Sequence, residues 1–484
     1  MSDVNDVSCV IGGRLVAGDQ RGEVRNPART ADVVGTFPML GAADVDAAVA
    51  AAAAALGGWA AISAVERAKL LADATPVIMG LDLVPSLTKE QGKVYWEAFA
   101  EVAFWDMAVN LYQPMAAGLD AGEVLVDDES GRIRLTRRPV GVVAAFTAWN
   151  WPFALTFGKV IPALIAGNTV VVKPSPVDPL SVLVALAALA ERLPPGVVNV
   201  VTGDDVTVSA ALMAHPLVNM TSFTGGTAGG RFAAEAAAPT FKRTVLELGG
   251  NDAALVLDDA VIDETLCRRL TQAAFVTSGQ VCIALKRVYA PAERVAELAE
   301  GMAAVLDETC VVGNGLDDGV TMGPVTTQRQ RDRVAGLIAA ATEAGGTVRA
   351  CGRLAADPDA GWFLQPHLVT GLDEKHPVVA EEQFGPVLPI QPYRDLDEGV
   401  RLLNDTDCGL TASVWTADEA RGLAVAERLE AGAAFVNIHG LFAVNPLAPM
   451  GGVKASGLGR EYGLLGLQGY TEPKVLSTWR SPMA

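Results

Sequence analysis

The sequence predicts an α/β protein with two doubly wound units, each built on a parallel sheet, and a small β arm. Three observations lead there. From residue 140 onward, short apolar β-branched runs alternate with helix-length stretches. Near-continuous apolar strands of this kind belong to parallel sheets covered on both faces. A second strand–helix series starts at Ala253 and continues to about residue 450. Between residues 119 and 139 the pattern changes to alternating apolar and polar residues around Ser130-Gly131, which is a hairpin signal.

The elements follow in order. After Arg25-Asn26-Pro27, residues 42–58 are so rich in alanine that helix is the state they favour. Val45, Val49 and Leu56 lie near one stripe, which should pack on a neighbouring element. More helical stretches run to about Tyr112. The segment EVLVDDESGRIRLTRRPV predicts strands near 122–127 and 132–137. The parallel strands are expected at 140–146 (VGVVAAF), 169–173 (TVVVK), 197–202 (VVNVVT), 219–223 (NMTSF) and 243–247 (RTVLE). Helices are expected between them at Pro179–Leu193 and Val206–Ala214. There is no internal repeat of fixed period and no low-complexity linker.

Composition removes several function classes. The chain has 37 Lys+Arg against 56 Asp+Glu, a net charge of −19, and a nucleic-acid binder needs a positive footprint instead. Six cysteines (Cys9, Cys267, Cys282, Cys310, Cys351, Cys408) show no CxxC spacing, so neither a disulfide scaffold nor a zinc site is expected. The four histidines (His215, His367, His376, His439) form no HExxH motif, and no metal is expected. The start, MSDVNDVSCV, has acidic residues where a signal peptide carries basic ones. Pro139–Gly158 is uncharged, but Pro139, Gly141, Asn150 and Pro152 make it a poor membrane helix. It reads as a buried strand running into a loop. No membrane partner and a cytoplasmic location are the expectation.

Three segments carry chemistry. Cys282 stands in Ser278-Gly279-Gln280-Val281-Cys282-Ile283; a cysteine taken alone is more often inert filler than nucleophile. Glu247-Leu248-Gly249-Gly250-Asn251 ends a buried strand in a carboxylate, a costly charge unless it is paired or used. Trp149-Asn150-Trp151-Pro152 ends another strand in an amide held between rigid neighbours. In open parallel sheets ligands gather at the carboxyl ends of strands, where Asn150, Lys173 and Glu247 all stand. Taken in order, WNWP, KPSP, FTGGTAGG, ELGGN, GQVC, EEQFGPV and PMGG resemble the aldehyde dehydrogenase superfamily from residue 149 to 452. Each motif alone is weak; their ordered combination is specific, and the flanking regions extend the resemblance over nearly the whole chain.

The resemblance implies two Rossmann-like domains, a cofactor-binding one at 1–118 and 140–249 and a catalytic one at 250–451, with 119–139 and 466–484 as an oligomerisation arm. It implies oxidation of a small-molecule aldehyde to the acid through a thiohemiacetal and a thioacyl-enzyme on Cys282. Asn150, with the backbone N–H of Cys282, would hold the oxyanion, and Glu247 would activate water. The cofactor residues implied are Trp149, Lys173, Ser175, Phe223, Gly225, Gly226, Thr227, Gly230, Leu248, Glu382 and Phe384. Without the resemblance, the EEQF run reads as a solvated turn. Two departures stand out: Gly226 replaces a serine common in the family, and Pro176 replaces a glutamate common in NAD-preferring members. NAD is expected, because no Arg or Lys follows Pro176 to hold an extra phosphate; NADP stays open. Trp105, Trp151, Leu155, Val281, Ile283 and the 439–450 loop ending at Met450 should line an apolar aldehyde tunnel, which implies a hydrophobic or aromatic substrate. Homodimer or homotetramer is expected. The rivals are a CoA-acylating relative, against which Glu247 counts, a cysteine esterase, and a non-catalytic relative.

Overall fold

The structure is a computed structural model and describes residues 4–204 and 206–480. Its first sheet has eight strands. Five run parallel, in the order Val198–Val200, Thr169–Lys173, Val142–Phe146, Met220–Thr224 and Arg243–Glu247. Counted along the chain this order is 3-2-1-4-5, so the chain reverses its direction of winding between Val142–Phe146 and Met220–Thr224. A ligand crevice opens at the carboxyl ends of strands at such a point. Every side chain of Val142–Phe146 and Thr169–Lys173 is buried, because helices cover both faces. Ala42–Ala60, Thr207–Ala214 and Thr227–Ala237 lie together on one face; Pro152–Ile165 and Leu180–Ala190 lie on the other, backed by Ala64–Met79 and Tyr95–Tyr112. In Ala42–Ala60 the buried stripe is Val45, Val49 and Trp59. Leu56 is only half-buried; Trp59 takes the inward place and donates its Nε1–H to the Leu164 carbonyl at 3.1 Å.

The second sheet holds six parallel strands, in spatial order His367–Thr370, Val387–Tyr393, Arg287–Pro291, Ala253–Val256, Thr411–Trp415 and Ala433–Val436, with Thr347–Ala350 antiparallel at one edge. Apolar clusters on its two faces close a core of its own. The α/β class with two wound parallel sheets is therefore as the sequence predicts. The hairpin segment forms Glu123–Asp127 and Gly131–Pro139, and Thr471–Trp479 pairs antiparallel along the second of these for nine residues. The tail enters this arm as a helix, Gly463–Gly469, before becoming a strand; residues 481–484 of the expected arm and residues 1–3 of the expected first domain lie outside the described residues.

Three features differ from the expectation. Two N-terminal ribbons, Cys9–Ile11 with Arg14–Val16 and Arg21–Asn26 with Arg29–Pro38, precede the first helix, and the first of them extends the sheet edge through Val10 and Val200. After the second sheet the chain returns to the first one: Gly457–Leu458 pairs antiparallel with Leu246 and Glu247. The uncharged stretch 139–158 becomes the strand Val142–Phe146 and then the start of the helix Pro152–Ile165, with only a short loop between. Proline at the first helical position needs no N–H, which is why the chain turns helical there. Among the described residues no single helix is long and apolar enough to cross a membrane.

Candidate active site

Arg243–Glu247 is the last parallel strand of the first sheet, and six residues later Ala253–Val256 begins the centre of the second. The Glu247–Asp252 turn therefore lies where the carboxyl ends of the first sheet face the second unit. Gly250 is the meeting point. A Cβ placed on it would fall 2.9 Å from the Cys282 carbonyl and 2.5 Å from Asp252 Oδ1, so only a residue without a side chain lets the two loops close. A Cβ on Gly249 would fall 2.2 Å from Glu382 Oε2, and the Gly250 N–H donates to Glu382 Oε1 at 3.1 Å. Glu382 is thus seated on the glycine pair.

Cys282 is half-buried and free. Its loop is reached through Thr277, Ser278 and Gly279, all left-handed, with φ of 51°, 56° and 74°. Such residues persist only where their surroundings hold them. Glu97 accepts the Thr277 N–H at 2.6 Å, Trp151 Nε1–H donates to Thr277 Oγ1 at 3.1 Å, and Ser278 Oγ donates to the Gly323 carbonyl at 2.8 Å. Burial is the main reason the Cys282 thiol is pushed up to about 12; the charges of Glu382, Asp252 and Glu247 add to it, and Lys286 opposes it.

Asn150 is 4% exposed, and its side-chain amide has no hydrogen-bond partner among the described residues. Its carbonyl is anchored instead, accepting from Lys93 Nζ at 2.9 Å. Lys93 is paired with Glu101, both side chains being fully buried. Glu101 in turn accepts the N–H groups of Phe153 (2.7 Å) and Ala154 (3.2 Å), at the start of the helix that follows Asn150. The amide is therefore free to bind while its backbone is locked.

Glu247 is buried, and its Oε1 has no hydrogen-bond partner. Burial holds its carboxyl well above the ordinary range; the charge of Glu461 adds to this, while Lys159 and Arg460 oppose it. Lys159 and Glu461 form a buried ion pair next to it. A Cβ on Gly451 would fall 2.7 Å from Glu247 Oε1. The neighbouring Met450 borders the same apolar cluster as Cys282 and Trp151, built on Val276, Val281, Ile283, Ala284 and Leu410. Cys282, the Glu247 carboxyl and the apolar cluster therefore adjoin.

The residues expected to bind a dinucleotide line the crevice of the first sheet. Lys173 ends its strand with 3% exposure, and Ser175, two residues on, is buried. The ring of Phe223 lies over Gly225 and Gly229, where a Cβ would come within 2.7 Å and 2.6 Å of it. Gly225 N–H donates to the Glu247 carbonyl at 3.1 Å, tying this turn to the end of Arg243–Glu247. Gly226 precedes Thr227 at the start of Thr227–Ala237, and no atom lies within 4 Å of where its Cβ would be. The helix N-terminus therefore stands open to an anion. Gly230 makes room for Leu248, whose side chain a Cβ there would meet at 2.5 Å. The rings of Trp149 and Phe384 meet edge-on, centroids 5.4 Å apart. The EEQF segment is a packed turn and no solvated one: Gln383 is fully buried and Phe384 has φ 52°. A groove lined by Thr227, Gly249, Asn251, Glu382, Thr406 and Cys408 runs between the two units.

One expected tunnel residue stands apart. Trp105 is fully buried in the core of the first unit, edge-on to Phe157 at 4.8 Å, with its Nε1–H donated to Thr75 Oγ1 at 3.0 Å. Its helix, Tyr95–Tyr112, turns this face to Pro152–Ile165, so the ring fills core and does not wall the site. Leu155 is half-buried, outside the cluster around Cys282. Leu441 and Val444, from the 439–450 loop, do border that cluster.

Sequence reading missed the charged residues behind the site: Lys93, Glu97, Glu101, Lys159, Asp252, Lys286 and Glu461. A signal existed for two of them. Lys159 interrupts PFALTFGKVIPALIAG and Lys286 interrupts VCIALKRVYA, and a charge inside an apolar run is costly unless it is used.

Residues 15–476 match the aldehyde dehydrogenase family. The chain is 38% identical to geranial dehydrogenase of Castellaniella defragrans, over 94% of this chain and 95% of that protein. It is 37% identical to the succinate-semialdehyde dehydrogenase [NADP(+)] of Escherichia coli, over 94% and 93%. A crystal structure of a variant of aldehyde dehydrogenase C from Pseudomonas syringae, in complex with NAD+ and octanal, superposes with a TM-score of 0.91 at 34% identity, covering 99% of this chain and 98% of that one.

Proposed function

The chain belongs to the aldehyde dehydrogenase family, and from that premise we propose that it oxidises a hydrophobic aldehyde to its carboxylic acid with Cys282 as nucleophile, Asn150 as oxyanion donor and Glu247 as base. The observation that carries this reading is the junction at Gly250 and Gly451: the first touches the Cys282 carbonyl, the second the unpartnered Glu247 Oε1, and Met450 borders the cluster around Cys282.

The crevice fits NAD(P)+. Lys173 stands at one strand end, the open N-terminus of Thr227–Ala237 suits a pyrophosphate, and Glu382 is seated beside Gly249. When bound, the nicotinamide supplies the acceptor for the hydride that leaves the aldehyde carbon. The protein does the rest. The Cys282 thiolate adds to the carbonyl carbon, forming a C–S bond and moving an electron pair onto oxygen. The Asn150 amide and the Cys282 N–H receive that oxygen; such a donor contributes on the order of 3–4 kcal/mol in acyl chemistry. Once the thioester has formed, Glu247 takes a proton from water as the water attacks. Its raised affinity for protons makes it a stronger base than an exposed carboxylate. The C–S bond then breaks and returns the thiol. Lys159 and Glu461, paired beside Glu247, hold opposite charges around this proton.

The apolar cluster beside Cys282, with Trp151, Val276, Val281, Ile283, Leu410, Leu441, Val444 and Met450, supports a hydrophobic or aromatic aldehyde as substrate. A panel of aldehydes tests this: the highest kcat/KM is expected for an aliphatic or aromatic aldehyde, and fastest turnover of a dicarboxylic semialdehyde would refute it. Cys282→Ala should abolish oxidation with cofactor binding retained. NAD is the favoured cofactor, and kcat/KM with both cofactors decides between them. In this reading residues 1–118 with 140–249 bind the cofactor, 250–451 form the catalytic domain, and the arm of 119–139 with 466–484 joins subunits. Exposed Val124, Leu125, Val475, Leu476 and Trp479 on the arm support a homodimer or homotetramer, because a thin ribbon with apolar side chains in water is marginal alone. Light scattering that finds a stable monomer would refute it.

A further inference from the structure

Lys286 has no part in the steps above, yet it is 1% exposed, directly behind the nucleophile. Its ammonium donates to the carbonyls of Val281 at 2.5 Å and Ala284 at 3.1 Å, the residue before Cys282 and the second after it. Asp252 flanks it. The Asp252 carbonyl accepts the N–H of Lys286 (2.9 Å) and of Arg287 (3.1 Å). Its carboxylate accepts from Thr411 through one oxygen, while Oδ1 is buried without a partner and lies at Gly250, beside the Cys282 carbonyl. A buried ammonium is costly, and an uncharged donor would hold two carbonyls as well, so the charge itself calls for a use.

The groups facing Cys282 show one. Glu382 from the packed turn, Asp252 from the loop before the second sheet and Glu247 from the end of the first sheet all oppose its ionisation; Lys286 is the cation that favours it. The Tyr462 phenol also lies within reach of the sulfur's charge, and Lys286 in turn faces Glu382, Asp252 and the buried imidazole of His439. We propose that Lys286 is a positioning residue for the nucleophile: it fixes the carbonyls on either side of Cys282 and supplies the positive charge against which the thiolate forms. It acts through Cys282 and touches neither aldehyde nor cofactor. The inference rests on the reading of Cys282 as the nucleophile.

Lys286→Gln keeps hydrogen-bond donors and removes the charge. Two readouts are needed: the rate at which iodoacetamide alkylates Cys282 in the cofactor-free protein between pH 6.5 and 9, followed on the Cys282 peptide by mass spectrometry, and the acidic limb of kcat/KM for aldehyde oxidation. Only the thiolate reacts. K286Q is expected to alkylate at least about tenfold more slowly at each pH, and its acidic limb to move up by about one pH unit or more. Wild-type rates in K286Q overturn the proposal, and so does slower alkylation with an unmoved limb, which is what a displaced loop alone would give. If K286Q does not fold, Lys286→Met, which keeps the stem and its packing, is read in the same two ways: slower alkylation with a raised acidic limb is expected, and a wild-type rate or an unmoved limb overturns the proposal. A wild-type protein that oxidises no aldehyde with either cofactor would defeat the functional reading, while the alkylation comparison would still judge Lys286.

Discussion

Glu101 offers the most informative single substitution, because one carboxylate serves three partners. It pairs with Lys93 and accepts the N–H groups of Phe153 and Ala154, and Lys93 reaches on to the Asn150 carbonyl. Glu101→Gln preserves shape and one acceptor but leaves the Lys93 ammonium facing an amide in a site with no solvent. Removing one partner of a buried pair costs about 3–5 kcal/mol. The lower end applies here, because Glu97 also faces Lys93 and the Trp151 ring lies 4.4 Å from its ammonium. At about 2.1 cal/mol/K of unfolding entropy per residue, a chain of 484 residues loses about 1 °C of melting temperature per kcal/mol, so E101Q should melt about 3 °C lower. The catalytic consequence is separate. With its anchor loosened, Asn150 no longer meets the oxyanion in register, and kcat should fall by about tenfold to a hundredfold with little change in cofactor KM. Calorimetry and steady-state kinetics read the two effects. A variant that melts within 1 °C of wild type and keeps its kcat would show that the Lys93–Glu101 pair does not hold the amide loop.

Three other outcomes are expected. Gly249→Ala places a methyl group against the Glu382 carboxylate; that flexible side chain moves away and loses the Gly250 N–H, so melting changes little while cofactor KM rises by about tenfold, roughly the worth of one hydrogen bond to a charged group. His439 is 1% exposed, and burial lowers its affinity for protons to about 3 from 6.5. A histidine lowered in this way contributes stability that is present above the unfolded value and is lost as pH falls from 6.5 toward 3, amounting to about 2 kcal/mol at pH 5; His439→Asn should lack that part of the decline in urea unfolding, and parallel curves for the two proteins would refute it. Glu247→Gln should form thioester and then stall, giving a burst of reduced cofactor followed by a weak steady state; if the burst disappears as well, Glu247 serves mainly to deprotonate Cys282.

The parallel strands are legible because each is a local run of β-branched residues that only a doubly covered sheet can bury. The N-terminal ribbons are not, since Arg21–Asn26 and Arg29–Pro38 carry polar residues whose pairing is set by neighbours the local pattern does not reveal. The two-residue strand Gly457–Leu458 has its partners some 210 positions earlier and leaves no periodic trace. At the candidate site, Glu247 and Asn150 stand out in motifs at strand ends and Cys282 in the GQVC loop. Trp105 does not, because on a helix that carries apolar residues on every side an aromatic residue reads the same whether it faces a tunnel or a core. Glu97 and Glu101 also look like ordinary helix-surface charges at i and i+4. Only their burial, at 3% and 0%, shows that their face of the helix points inward.

That inward face explains how a site divided between two sheets keeps its geometry. The helix Tyr95–Tyr112 belongs to neither sheet, yet its Glu97 accepts from Thr277 on the nucleophile loop and its Glu101 accepts from Phe153 and Ala154 on the amide loop. One turn of helix, about 5.4 Å along its axis, thus sets the spacing between the two loops. The nucleophile loop needs such a clamp, because Thr277 and Ser278 occupy left-handed conformations that cost about 1–3 kcal/mol each. The Glu97 bond, the Trp151–Thr277 bond and the Ser278 bonds to the 323–324 backbone offset that cost only while both loops stay in place. Loosening either loop therefore weakens the hold on the other, and Asn150 and Cys282 are positioned as one unit, not as two independent residues.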